Sequence, residues 1–481
     1  EMVARLTQPR KIIIFGTHGE DQKYEEMYWD KLSPILDEGD MVLRWGKEEE
    51  GNENNIQFFN DSIVGNLSKL QASPRGIHLL EMVRLERDRM VAFTTDAPDS
   101  FLVGGSAEGY KQFEPYISPF AITGHVGSEA GCAHYAHMIQ RAIENGMAQA
   151  FAEGSDVLRK AAGFENQDIG RTMNRWSEGG GILSSYLLRI SSRIFYKRDN
   201  ITKKGFVVDN IVDSVELNAV DTWVTLEATK LGIPAPTVNA TLESRFLSAM
   251  KDERVEASSI LKVHEGADTP SVLKDQICED LQNAIYCACM LIVAECLAIF
   301  QAACDVESWD ANIGELIKFW NQPGSFLESN LLEKVHSTLV NNTEEMKNLL
   351  TFPSIASELH ELHMSWRRIV SLSVASAIPC PTFSSSLTHY DSYRQRKMPI
   401  GLIRAHRDFF DASGYDRIGE GGWFTTCWLK EHTFQMRKKE AALEEVEEIP
   451  EPPKKKRKKS RKSTESKSPP STSTDGDLAA V

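Results

Sequence analysis

The stretch Ala133 to Gln149, AHYAHMIQRAIENGMAQ, decides how the rest of the chain is read. It has no proline, meets its first glycine only at Gly146 and repeats apolar residues at helical spacing, so it predicts one helix. His137, Gln140, Arg141 and Glu144 fall at i, i+3, i+4 and i+7, which puts four polar side chains on one face. Such a face is either the solvated side of a surface helix or the wall of a cleft. The helix by itself does not choose between them.

Ahead of this helix the pattern is that of a sheet. Lys11 to Phe15, KIIIF, suits a buried parallel strand, Glu25 to Leu36 has helical spacing ending near Gly39, and Met41 to Leu43 supplies a second strand. Ile77 to Val83 and Ser100 to Val103, with Gly104-Gly105 behind, complete a partial α/β pattern. From about Gly131 the pattern turns helical, with helices predicted over 133–153, 155–163, 167–174, 181–195, 222–230, 236–250, 272–304, 312–319, 325–338, 354–377 and 399–409. The strand–glycine-turn–helix opening of a Rossmann unit is not in the sequence, which begins at Glu1, so the sheet reads as the rear half of such a domain and a missing front segment is expected.

Composition limits the function classes. With 481 residues, 41% of them hydrophobic, the chain can bury more than one core. A net charge of −15 argues against nonspecific nucleic-acid binding by the body of the protein. Eight cysteines without a disulfide framework point to free thiols in a reducing compartment, and Cys287-Ala-Cys289 lacks the second pair that a zinc site needs, so no metal is expected. The apolar run Ala284 to Phe300 carries Glu295 and three cysteines and falls short of the roughly 20 residues of a membrane span; it is read as a buried helix, with no membrane partner. No secretory signal pattern opens the chain. Beyond Trp428 the composition shifts: Lys438 to Glu448 reads as an acidic helix, Pro450, Pro452 and Pro453 end it, and KKKRKKSRK, Lys454 to Lys462, leads a Ser/Thr/Pro-rich end expected to be disordered.

The blocks SWRRIV (Ser365 to Val370), IPCPTFSSSL (Ile378 to Leu387), YDSYRQRKMPIGLI (Tyr390 to Ile403) and HRDFF (His406 to Phe410) resemble the signatures of the 6-phosphogluconate dehydrogenase (decarboxylating) family. WSEGGGILSSYLL (Trp176 to Leu188), LGIPAPT (Leu231 to Thr237) and RFLSAMKDERVEAS (Arg245 to Ser258) extend the likeness over most of residues 8 to 430. The resemblance implies an α/β plus all-α fold in a divergent, N-terminally truncated member. Residues 1–130 would be a partial Rossmann-type NADP-binding domain, 131–430 a large all-helical dimerisation domain, and 431–481 the acidic helix and disordered basic tail.

It also implies roles, residue by residue. On the linking helix the family's general acid corresponds to Glu144, and its general-base lysine, seven residues earlier, to His137. Two turns, roughly 10 Å, straddle a sugar phosphate lying along the face. Gln140, Arg141 and Asn145 stand where the family has a histidine, an asparagine and the phosphate-holding tyrosine, and Asn218 stands where it has a phosphate-binding lysine, with Trp223 following. Arg245 and Arg407 match its two phosphate-clamping arginines, the second supplied across a dimer, while Ser413 replaces a histidine. The family's VSGG substrate loop is matched to Val83 to Arg89, VRLERDR. On the NADP side, Thr17 and His18 follow the first strand, and Lys47 takes the place of an asparagine near the nicotinamide.

With so many contacts changed, the expectation is a homodimeric relative of a pentose phosphate pathway oxidoreductase in which catalysis is lost or strongly reduced, a pseudoenzyme scaffold or regulator with a small sugar-phosphate site. The alternative is active NADP-dependent oxidative decarboxylation of 6-phosphogluconate to ribulose 5-phosphate. Lys454 to Lys462 resembles a nuclear localisation signal read by an import receptor, giving a cytoplasmic protein with a nuclear pool; binding of nucleic acid is the other use of such a run.

Overall fold

The computed structural model describes residues 12–17, 41–46, 78–85, 99–129, 131–178, 180–215, 219–261, 273–342, 348–429 and 432–436. Five strands, β1 (Ile12–Thr17), β2 (Met41–Gly46), β3 (His78–Leu85), β4 (Asp99–Gly105) and β5 (Ala121–Gly127), form one sheet in that spatial order. β1, β2 and β3 run parallel, β4 turns antiparallel to β3, and β5 is parallel to β4. The first four strands lie where the apolar runs placed them. β5 and the helix before it, α1 (Ala107–Ile117), were not anticipated. The expected helix over 25–36 lies outside the described residues.

α2 (Cys132–Lys160) follows the sheet and runs without a break through the two segments that periodicity had separated. It packs on β3, β4 and β5 and against α8 (Lys274–Glu307). Between them come α3 (Asn166–Ser177), α4 (Tyr186–Tyr196), α5 (Ala219–Leu231), α6 (Pro236–Ala249) and α7 (Lys251–Ile260). After α8 come α9 (Ile313–Trp320), α10 (Asn330–Asn341), α11 (Pro353–Ala375) and α12 (Pro381–Tyr393). The long apolar run is the middle of α8, and 83% of its most apolar window, mean hydropathy 2.1, is buried. Among the described residues the larger core centres on α2 and α8, joined by Trp320, Trp366 and Phe383, and a second joins Leu80, Met82, Phe101 and Val103 of the sheet to Phe113 of α1.

The helices from α2 to α12 carry a repeat that the sequence reading did not register. Trp176-Ser-Glu-Gly-Gly-Gly-Ile-Leu-Ser-Ser-Tyr-Leu-Leu188 matches Trp320-Asn-Gln-Pro-Gly-Ser-Phe-Leu-Glu-Ser-Asn-Leu-Leu332 at tryptophan, glycine, serine and three leucines. The equivalent serines form an antiparallel bridge, Ser185 to Ser329, flanked by Tyr186 N donating to Glu328 O (2.8 Å) and Asn330 N donating to Ser184 O (2.9 Å). An antiparallel pairing of equivalent residues marks a local two-fold axis. Each serine also caps its own helix, accepting from Leu188 N and Leu332 N at 3.2 Å.

The two Ile-Pro-X-Pro-Thr segments open α6 and α12 with proline at the start, where a missing N–H costs nothing. Their remaining amides are taken by buried carboxylates from the opposite halves. Glu295 of α8 accepts from Thr237 N and Val238 N, both at 3.0 Å, and from Thr237 Oγ1 at 2.6 Å. Glu153 of α2 accepts from Thr382 N at 3.0 Å and Phe383 N at 3.3 Å. Burial raises the Glu153 carboxyl above the usual range, opposed by these hydrogen bonds.

The described residues from Arg396 onward, 396–429 and 432–436, belong to a second unit. It holds α13 (Gly401–Asp411) and a three-stranded antiparallel sheet of β6 (Tyr415–Arg417), β7 (Glu420–Cys427) and β8 (His432–Met436). The expectation of helix throughout 131–430 is corrected by these strands. Asp408 organises the unit, accepting from Gly414 N, Thr425 Oγ1, Thr426 N and Trp428 Nε1 at 2.7 to 3.0 Å. The acidic stretch 438–448 and the basic run 454–462 lie outside the described residues.

Candidate functional site

The polar face of α2 is not a solvated surface. His137, Gln140 and Glu144 are buried and Arg141 is half-buried. The face is fixed from behind by close helix packing, since a Cβ on Gly146 would lie 2.8 Å from Ile292 and one on Gly154 would lie 2.9 Å from Ile285. Glycine at both positions lets α8 approach and holds α2 in one rotation. The front is then tied along the helix: Gln140 Nε2 donates to Glu144 Oε1 at 2.9 Å and Arg141 Nη1 to Glu144 Oε2 at 3.2 Å. Both oxygens of the expected general acid carry a hydrogen bond from the same helix. Gln140 Oε1 is buried with no hydrogen-bond partner among the described residues.

One turn further, three helices meet. Asn145 of α2 donates Nδ2 to Asp221 Oδ1 of α5 at 2.6 Å, and its Oδ1 accepts from Arg245 Nη2 of α6 at 2.5 Å. Arg245 Nη1 reaches Asp221 Oδ2 at 3.3 Å, closing the triangle. Asp221 is almost wholly buried, with a side chain 3% exposed, and Arg245 is mostly so at 17%. Burial lowers the proton affinity of the Arg245 guanidinium, Asp221 opposes that, and the positive charge of Arg141 adds to it.

Of the residues singled out from the sequence, His137, Glu144, Asn145 and Arg245 are brought to this region. Asn218 lies outside the described residues, although α5 starts directly after it. Trp223, two residues after Asp221, is buried. Thr17 is the last residue of β1 and pairs with Gly46, the last of β2. His18 and Lys47, just beyond, lie outside the described residues. No glycine-rich GxGxxG turn occurs in the sequence to cradle a pyrophosphate. Arg407 is exposed on α13 in the second unit, and Ser413 follows the helix there.

One motif assignment is corrected. Val83, Arg84 and Leu85 are strand residues paired with Leu102, Phe101 and Ser100, not part of a substrate loop. The glycine turn stands on the next strand, where Gly104-Gly105 end β4 at a φ of +130° for Gly105, and Ser106 caps α1 by accepting from Gly109 N. The Gly-Gly-Ser sequence was visible and had been read only as a strand terminator. Asp221 was missed altogether, having no motif signal of its own.

A Rossmann-like sheet joined by one long helix to a two-fold helical core, with a buried carboxylate and a guanidinium cluster on that helix's polar face, is the plan of a two-domain dehydrogenase class. The sequence profile described as 6-phosphogluconate dehydrogenase, C-terminal domain, matches residues 133–428. 6-Phosphogluconate dehydrogenase, decarboxylating 1, of Spinacia oleracea is 33% identical over 340 residues, 69% of each chain. The decarboxylating enzyme of Staphylococcus aureus strain N315 is 29% identical over 438 residues, covering 90% of this chain and 88% of its own. The solved Plasmodium falciparum 6-phosphogluconate dehydrogenase, described apo, with its cofactor NADP+ and with its substrate 6-phosphogluconate, has the same fold at a TM-score of 0.75 and 24% identity, over 89% of this chain and 87% of that one. The chain belongs to the 6-phosphogluconate dehydrogenase family.

Proposed function

We propose that this family member has lost, or strongly reduced, oxidative decarboxylation of 6-phosphogluconate and keeps its helical scaffold for binding or regulation. The observation that carries the reading is the engagement of Glu144. Its two oxygens are held by Gln140 and Arg141, while the position of the partner base is His137, whose side chain is shorter than lysine. A general acid or base acts only within hydrogen-bond reach of the proton it moves, and losing one such group costs about 10²- to 10⁴-fold. NADP would lie at the ends of β1 and β2 marked by Thr17 and Gly46; bound there it would supply the hydride acceptor. The test is NADPH formation by the purified full chain with 6-phosphogluconate and NADP. A rate at least about 10²-fold below that of an active relative is expected, and turnover in the ordinary range of the family overturns the reading. The alternative, an active NADP-dependent enzyme, is favoured by the retention of Glu144 and Arg245 in the buried site.

A homodimer through the helical region is part of this proposal. α13 has only Asp408 buried and exposes Leu402, Ile403 and Phe410, the last at 87%. An apolar face of this kind is what a subunit interface covers. The location proposed is cytoplasmic with a nuclear pool directed by Lys454 to Lys462. A reporter fused to residues 449–481 should concentrate in nuclei and lose that bias when Lys455 and Arg457 become alanine; equal distribution of both fusions removes the proposal.

A further inference from the structure

The two Ile-Pro-X-Pro-Thr starts make α11 and α12 the counterparts, in the second half of the core, of α5 and α6 in the first. Each helix pair is clasped by an arginine–aspartate ion pair spanning 24 residues, in opposite senses: Arg245 of α6 reaches back to Asp221 of α5, whereas Arg367 of α11 reaches forward to Asp391 of α12. The first clasp is closed over, while both side chains of the second are 30% exposed. The second borders a cavity of about 400 Å³, lined by Arg367, Asp391, Arg394 and Gln395.

Arg367 donates through both Nη atoms to the two oxygens of Asp391, Nη1 at 2.8 Å, and through Nε to His363 Nδ1 at 3.3 Å. Arg394 donates to Asp391 Oδ1 from Nε at 3.1 Å and from Nη2 at 2.9 Å. Burial and the charges of Arg367, Arg394 and His360 hold His363 below its ordinary 6.5 against the pull of Asp391, so it adds no charge at neutral pH. The lining therefore carries two cations and one anion, in a chain whose net charge is −15. Donors are also left over. Among the described residues Arg394 Nη1 makes no hydrogen bond, and Gln395 bonds only through its backbone N, to Ser392 O at 3.2 Å.

We propose that this cavity is a seat for a phosphoryl group, in which Asp391 orients the two guanidinia, and Arg394 Nη1 and the Gln395 amide donate to the phosphoryl oxygens. A planar guanidinium matches a phosphate, and the one positive charge left over by Asp391 selects an anion. A cation would meet the unbalanced arginine, and an apolar ligand would leave the spare donors unpaired. The volume falls in the range of small-molecule sites, so the ligand is a small phosphate monoester or free phosphate. The seat is separate from the polar face of α2 and does not depend on whether catalysis is retained.

The experiment is phenylglyoxal modification of arginines in the purified full chain, mapped by mass spectrometry of the peptides, with inorganic phosphate as the probe. Arg171 is the matched control, because it pairs with Asp168 at the same i,i+3 spacing as Arg394 with Asp391 but is 68% exposed and shares its carboxylate with no second arginine. Phosphate should slow modification of Arg394 by about threefold or more, the factor 1 + [L]/Kd at roughly twice the dissociation constant. It should leave Arg171 unchanged, and chloride at matched ionic strength should protect neither. Arg367→Gln removes one of the two cations and should abolish the protection. Gln395→Ala, at an exposed side chain, should weaken it and serves if the first variant fails to fold, with circular dichroism as the check. Glucose 6-phosphate at the same concentration separates the two sources: stronger protection than by phosphate supports a monoester, and equal or weaker protection supports free phosphate. No slowing at Arg394, equal slowing at Arg171 or by chloride, or undiminished protection in a folded variant overturns the proposal.

Discussion

Replacing Glu295 by alanine removes the acceptor that completes the start of α6. Thr237 N and Val238 N would remain in the core without a partner, together with Thr237 Oγ1 and the His389 Nδ1 that lies 2.5 Å from the same carboxylate. Thr237 is fully buried and Val238 nearly so, so water cannot readily replace the lost oxygens. A buried donor left unsatisfied costs about 1–3 kcal/mol, and two backbone donors alone bring the loss to about 2–6 kcal/mol. Glu153→Ala, at the equivalent place in the other half, strands Thr382 N and Phe383 N, the second of which is held at a longer 3.3 Å. It should destabilise less than Glu295→Ala. Urea unfolding followed by circular dichroism measures both, with the glutamine variants as controls that keep an acceptor oxygen. A loss below about 1 kcal/mol for Glu295→Ala, or a larger loss for Glu153→Ala, refutes the reasoning.

Further outcomes follow from the same structure. Burial pushes the thiols of Cys289, Cys304 and Cys380 up to about 12, whereas Cys427 is only half-buried, so a thiol reagent at neutral pH should modify Cys427 quickly in the native protein and all eight cysteines only after denaturation. The hydrogen bonds from Arg367 hold the Asp391 carboxyl below its usual 3.8, so their contribution to stability is complete above that pH and is lost as pH falls through the lower folded value; Asp391→Asn should flatten the acid limb of the stability curve there. Light scattering should find a dimer at micromolar concentration, and Phe410→Asp on the exposed face of α13 should shift it toward monomer without altering the far-ultraviolet spectrum of the fold.

What could be read in advance depended on whether the cause of an element was local. The runs at β1 to β4 and the long periodic segments declare themselves, because burial on one or both faces writes the pattern directly into the sequence. α2 was divided near Gly154, where glycine is a packing residue under Ile285 rather than a stop. β5, AITGHVG, has no alternation and contains Gly124 because Phe319 of α9 presses on it, a Cβ there falling 2.7 Å from the ring. α12, PTFSSSLTHYDSY, is poor in apolar spacing and takes its N-terminal support from Glu153, some 229 residues earlier. The candidate site divided in the same way. Four polar residues on one helix were legible by spacing, but whether they faced water depended on partners such as Asp221, 76 residues from Asn145. No local pattern could supply that.

The crossed carboxylates between the two halves of the helical core have a consequence for how the chain unfolds. Each half lends a glutamate to the other and depends on one in return, so neither α2 to α6 nor α8 to α12 possesses a finished set of helix ends by itself. Detaching one half would strip amides in both at once. Partial opening along the local two-fold axis thus carries the cost of two broken caps before it frees any chain, and the core should come apart in one step rather than as two successive units. Two segments that look interchangeable in sequence are in this sense indivisible in the folded protein.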